Sequence, residues 1–289
     1  MVTAFRLIAP VGLACAWLLV PAALAQVPAP IPHADVVHGQ GSIAAAWLAE
    51  ATRRYAHGVL GDDVEAAALM VETRDGKRVS LRLEDESVFE DLTPRLADID
   101  DDGHDEIWTV RSDAAAGARF EAYGLVDGAL TRLYATPPIG TGYRWLNPVG
   151  IADFDGDGRK EAAYVQTPHI GGILTIVRPQ GSRLRVVARG RGYSNHAMGS
   201  TRLDLAAIAD LDGDGGAEIV LPDQRRRQLI VVSLAAGELV ERWRSAAGSA
   251  VSGALTLASD PAGWVARHLT PDGTVATITI PATALRPLR

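Results

Sequence analysis

The sequence predicts an all-β protein assembled from repeated four-stranded antiparallel units, and three observations predict it. An acidic nonapeptide of the form Asp-x-Asp-x-Asp-Gly-x-x-Glu occurs three times, at 98–106, 153–161 and 210–218. The copies start 55 and 57 residues apart, a period typical of repeat architectures. After each copy the chain alternates apolar and polar residues, turns, and alternates again, as short strands do.

From the N-terminus, residues 1–25 read as a secretory signal. Arg6 supplies a positive start, an apolar stretch follows, and Ala23-Leu24-Ala25 before Gln26 fits a small-residue cleavage site. An exported protein, periplasmic or secreted, is the expectation. Cys15 is the single cysteine and falls in this segment, so no disulfide is expected in 26–289. The Pro-rich run 26–32 reads as a linker and 33–289 as one repeat domain. Residues 43–54 are Ala-rich and suit either a helix or an inner strand packed by small side chains. Segments 66–72 and 79–83, joined at Arg74-Asp75-Gly76, form a hairpin of a unit in which 52–63 stands where an acidic loop would be. The first acidic loop leads to strands at 120–126 and 130–135. The second is flanked by 149–152 and 162–166, then 173–178 and 184–189. The third is flanked by 206–209 and 219–221, then 229–234 and 239–243. A last unit shows only 255–259, 264–269 and 275–280, and 34–38 is a candidate fourth strand that would close a ring and hide its edges. Four antiparallel strands per unit are β-propeller blades. Five blades fit the length best, with four to seven open.

The acidic loops suit calcium, a hard cation that takes about six to eight oxygen ligands. Asp98, Asp100 and Asp102, with Asp153, Asp155, Asp157 and Asp210, Asp212, Asp214, place three short carboxylates on each curled backbone. Glycine at position six permits the sharp turn. Position seven, His104, Arg159 or Gly216, offers only its carbonyl, and Glu106, Glu161 or Glu218 reaches back to complete the shell. An EF-hand would need Glu at position twelve and flanking helices. Position twelve here is Thr109, Tyr164 or Leu221, in β-type sequence. Position by position, the loops resemble those of FG-GAP/VCBS repeats, found in integrin α-subunit propellers and many bacterial secreted proteins. The resemblance covers about residues 90–245. It implies a propeller with three Ca²⁺ sites, each loop joining the first two strands of a blade. It implies no single activity, since members include adhesive, carbohydrate-binding and enzymatic proteins.

The chain carries 28 basic and 35 acidic residues, and without Arg6 the balance is −8. Nucleic-acid binders present a basic face, so that class is excluded. No later segment is long and apolar enough to span a bilayer. If each blade runs down, up, down, up, the acidic loops lie at the bottom and the remaining links at the top. Those links gather Tyr143, Arg144, Trp145, Asn147, His169, Tyr193, Asn195, His196 and Arg225–Arg227 at one end. Aromatics beside Arg, Asn and His suit recognition. Trp145 equally suits packing between blades, the two histidines suit backbone capping better than catalysis, and the arginine run suits a solvated turn better than an anion site. The leading expectation is a module binding a protein or glycan, with structural calcium and no catalytic residue. An alternative is a lyase or hydrolase on a carbohydrate, using His169 or His196 with Arg144 in a central top pocket. A second alternative is a structural component of an envelope assembly.

Overall fold

The computed structural model describes residues 27–285, so the expected signal segment and Cys15 lie outside the described residues. The described chain is all-β, with antiparallel pairing throughout except for one parallel contact. Five meanders follow one another. The first holds β1 (Val37–His38), β2 (Ile43–Thr52), β3 (Glu65–Thr73) and β4 (Arg78–Arg82). In the second, β5 (Ser87–Phe89) and β6 (Arg95–Ala97) both pair with β7 (Glu106–Asp113), which continues to β8 (Gly117–Val126) and β9 (Ala129–Ala135). The third runs β10 (Leu146–Ala152), β11 (Glu161–Gln166), β12 (Ile173–Gln180) and β13 (Arg183–Arg191). The fourth runs β14 (Ala207–Ala209), β15 (Glu218–Pro222), β16 (Gln228–Ala235) and β17 (Glu238–Ala246). The fifth has β18 (Gly253–Asp260), β19 (Gly263–Leu269) and β20 (Val275–Pro281). Among the described residues no helix is long and apolar enough to cross a membrane.

At the N-terminal end one open reading is decided and two change. Ile43–Thr52 is a strand, not a helix, and it is the second of its meander. Residues 34–38 do not complete the last unit, because Val37 and His38 pair with Ala46 and Ala45 of β2. The segment 52–63 is not the counterpart of an acidic loop. It joins second to third strand, whereas 39–42 joins first to second. The run 27–31 lies along β2, with Ile31 buried, a Pro30–Ala49 bridge and the Trp47 indole donating to the Pro28 carbonyl.

The middle meanders repeat one unit down to its irregularities. A register shift falls at Tyr123, Val177 and Val232, the residues opposite Ile107, Ala162 and Ile219. Each of those partners directly follows the loop glutamate. A bulge adds twist to a strand pair, so the three sheets twist at the same level.

Side-chain alternation along a strand explains how the meanders stack. On β11, Ala162 and Tyr164 enter one core while Ala163 and Val165 enter the next. On β16, Ile230 and Val232 face back while Leu229 and Val231 face forward. Both faces of the inner sheets are therefore covered, which is why these strands read as nearly continuous apolar runs.

The first strand of the second meander is interrupted by Glu90-Asp91-Leu92-Thr93-Pro94. Pro94 lacks the N–H a ladder needs. The interruption places Glu90 and Asp91 in the interior, both fully buried. The His57 Nδ1 lies 2.5 Å from one Glu90 oxygen, and the Ser112 hydroxyl donates to the other. Asp91 accepts from Arg95 and from Thr109. Glu65, at the start of β3, is buried with neither carboxylate oxygen hydrogen-bonded. Burial first, and then the nearby Glu90 charge, push it up from 4.5 to about 10. A second internal polar device is a reciprocal amide clasp. The Asn147 amide donates to the Asn195 and Leu203 carbonyls at 3.0 and 3.1 Å, and the Asn195 amide donates to the Asn147 and Pro148 carbonyls. It fastens the link after β13 onto β10.

Two outcomes follow from these buried groups. The folded chain keeps the Glu65 proton to about pH 10, whereas the unfolded chain releases it near 4.5. The folded state thus binds more protons across that window, and stability falls as pH rises through it. At pH 7 the cost is about 3 kcal/mol. Glu65→Gln is expected to flatten the melting temperature against pH and to raise it at pH 9; an unchanged profile would contradict the assignment. Asn147→Ala leaves the buried Asn195 carbonyl and the half-buried Leu203 carbonyl without this donor, and urea unfolding should show a loss of about 1–3 kcal/mol.

Candidate metal centre

Each acidic loop is pinned by the same hydrogen bonds. The position-nine glutamate is buried, and its Oε2 accepts the N–H of position two: Ile99 at 3.0 Å, Phe154 at 3.0 Å and Leu211 at 2.8 Å. Those three apolar side chains are themselves buried. The position-one aspartate accepts from the glycine at position six, Gly103, Gly158 or Gly215, at 2.9, 2.7 and 3.1 Å. These glycines have φ of 87°, 85° and 96°, a region that side chains disfavour. Position four is also left-handed, which suits Gly156 and Gly213, and Asp101 is among the residue types that tolerate it.

In every loop the carboxylates of positions one, three and nine converge. Asp98, Asp100 and Glu106 each bring an oxygen within 4.8 Å of the others, as do Asp153, Asp155 and Glu161, and Asp210, Asp212 and Glu218. An all-oxygen set with carboxylate charge can hold a hard divalent ion. The converging sets do not include positions five and seven. Asp102, Asp157 and Asp214 instead accept the N–H of His104, Arg159 and Gly216 at 2.8, 2.9 and 2.9 Å. The expected carbonyl ligation by His104, Arg159 and Gly216 is not supported by the converging sets, which consist of side-chain carboxylates; the loop engages these residues through their amides.

Burial, together with Asp100, Asp98 and Asp102, pushes Glu106 up to about 7 against the lowering effect of the Ile99 N–H. Burial also raises Glu161 and Glu218, opposed by the Phe154 N–H and Arg178 in one case and by the Leu211 N–H and Ser233 in the other. Four residues whose contacts the nonapeptide pattern does not reveal complete these surroundings. Arg178 on β12 and Arg242 on β17 reach the second and third loops, and the Tyr134 hydroxyl donates to Asp100 at 2.6 Å. Lys160 of the second loop donates to the Asp98 carbonyl of the first at 2.7 Å. All four lie far in sequence from the residues they touch; strand pairing within a meander brings in Arg178, Arg242 and Tyr134, and the stacking of successive meanders brings in Lys160.

The aromatic and polar residues expected at the other end meet different fates. Tyr143 is 47% exposed and stacks on buried Tyr55 with ring centroids 5.0 Å apart. Arg144 is exposed. Trp145 is buried, with its indole donating to the Glu90 carbonyl at 2.8 Å. Asn147 and Asn195 are consumed by their clasp, and Tyr193 is buried beside Asp223. His169, His196 and Trp145 form one ring cluster. The His196 Nε2–H donates to the Ser200 carbonyl at 2.9 Å, so its Nδ1 accepts from the His169 Nε2–H at 2.8 Å. Both rings are thereby held neutral, and burial lowers them to about 4 and about 3. His57 and Glu90 sit beside this cluster; His57 lies in a segment whose sequence showed no motif.

No protein-family model matches the chain, and no curated protein matches it. Solved structures similar to it include the rhamnogalacturonan lyase YesW, at 17% identity over 73% of this chain and 44% of that one, with a TM-score of 0.42. A Bacillus licheniformis rhamnogalacturonan lyase is 18% identical over 70% and 43%, also at 0.42. Saccharomyces cerevisiae Sqt1 is 12% identical over 74% and 55%, at 0.47. The chain spans about half the length of these proteins or less, and likeness at such scores carries no inference about chemistry.

Proposed function

We propose that the chain is an exported, calcium-stabilised β-propeller of the FG-GAP/VCBS type, with five blades, that recognises a protein partner. The observation that carries this reading is the recurrence of one converging carboxylate set at the same turn of three successive meanders. Calcium is the ion of choice because the donors are all oxygen and calcium accepts a variable number of them. Sites of this kind fill where calcium is plentiful, outside the cytoplasm. The recognition surface lies at the other end, where Tyr143, Ile170 and Met198 are 47, 62 and 61% exposed. Aromatic, Met and Arg side chains are the types enriched at protein interfaces, and Arg144 stands next to Tyr143.

A second reading, an enzyme acting on a carbohydrate, is favoured by His57. Its Nδ1 lies 2.5 Å from buried Glu90, an arrangement that fixes a ring for proton transfer through Nε2.

Removal of calcium with a chelator should lower the melting temperature by about 5–10 °C. Asp100→Ala should reproduce part of that drop, and indifference of both would remove the metal reading. A double Tyr143→Ala, Met198→Ala variant should melt like the wild type but lose capture of envelope protein in a pull-down. Retained capture would refute the surface, and polysaccharide cleavage that His57→Ala abolishes would favour the enzyme.

A further inference from the structure

We propose that Arg178 and Arg242 are resident counter-cations of the second and third acidic loops, so that only the first loop depends on a divalent ion. This rests on the metal reading above and narrows it. The three nonapeptides look interchangeable in sequence, yet their surroundings are not.

In the second loop the Arg178 guanidinium lies among the acidic side chains. One terminal nitrogen contacts both Asp155 oxygens, at 3.1 and 2.9 Å, and the other lies 3.0 Å from Asp157. Its Nε donates to the Glu161 oxygen that the Phe154 N–H leaves free. Three of the four carboxylates in this nonapeptide thus already face a cation, and the Arg178 side chain is only 15% exposed. In the third loop Arg242 is 5% exposed and lies 3.2 Å from Asp212 and 3.8 Å from Glu218. It also donates to the Ser233 hydroxyl, which in turn donates at 2.8 Å to the free Glu218 oxygen.

Among the described residues, no guanidinium or ammonium bonds a carboxylate of the converging set in the first loop. Residues 98–106 hold six acidic side chains, Asp98, Asp100, Asp101, Asp102, Asp105 and Glu106, and no Lys or Arg. Lys160 reaches in, but its side-chain partner is Asp101, outside the converging set. Where the other loops meet a guanidinium, this one meets the neutral Tyr134 hydroxyl. A recess of about 370 Å³ opens beside it, lined by Asp100, Asp102, Glu106 and Tyr134.

The consequence is electrostatic. A guanidinium stays charged at any pH the protein meets, and its charge-assisted bonds to carboxylates are strong. A divalent ion entering the second or third loop must displace these bonds and then sit beside the displaced positive charge. An ion entering the first loop meets six carboxylates and displaces a neutral hydroxyl from the converging set, while the nearby Lys160 ammonium bonds only Asp101 and the Asp98 carbonyl.

Calorimetric titration of the full chain with calcium chloride, beside melting curves with and without chelator, tests this. The expected results are one equivalent bound by the wild type, none by Asp100→Asn, and unchanged uptake by Asp155→Asn. Arg178→Gln should gain a second equivalent and a melting temperature more sensitive to chelator. Three wild-type equivalents of similar affinity, with Asp100→Asn and Asp155→Asn each losing one, would overturn the proposal while leaving the metal reading intact. Absence of any uptake by the wild type would remove both. If Arg178→Gln fails to fold, the wild-type and Asp155→Asn titrations still decide.

Discussion

The acidic loops keep their shape because one glutamate carboxylate does two jobs. One oxygen holds the N–H of the buried apolar residue at position two, and the carboxylate also joins the converging aspartates. The first task ties the turn to the apolar core beneath it. The second concentrates negative charge at the surface. Burying a carboxylate is costly unless it is hydrogen-bonded and its charge is answered. The rest of the bottom face can be understood as three ways of answering that charge: Arg178, Arg242 with Ser233, and the open first loop.

Much of this architecture was legible in the sequence. The turn chemistry and the two-residue alternation located nearly every strand of the three middle meanders, because local rules govern both. The convergence of Asp98, Asp100 and Glu106 followed from spacing alone. The first meander was harder. Its small residues, such as Ala45, Ala46 and Ala49, have high helix propensity, yet they pair with Glu72, Val71 and Ala68 of β3, and Ala45 and Ala49 share a core cluster with Trp47 and Met70. Tertiary burial overrides propensity when a small side chain lets sheets approach closely.

The upper cluster was the least legible. His169, His196 and Trp145 meet in one ring cluster, but their burial and mutual hydrogen bonds depend on the neighbouring link 192–206. His57 and Glu90 come from two irregular segments, one between β2 and β3 and one interrupting the first strand of its meander. No periodic signal marks either. Arg178 and Arg242 likewise sit in ordinary strand positions, and only the pairing of their strands delivers them to a loop.

Neighbouring loops are also joined in a repeated way. The Lys160 ammonium reaches the Asp98 carbonyl, and the Ala217 amide reaches the Asp153 carbonyl at 2.8 Å. Position eight of one loop therefore docks on position one of the loop before it, by side chain in one case and by main chain in the other. Such nearest-neighbour docking makes repeat units exchangeable only in part. A transplanted unit would need a compatible eighth residue at its leading border, so recombination among these units is constrained at a single inconspicuous position rather than by the metal ligands themselves.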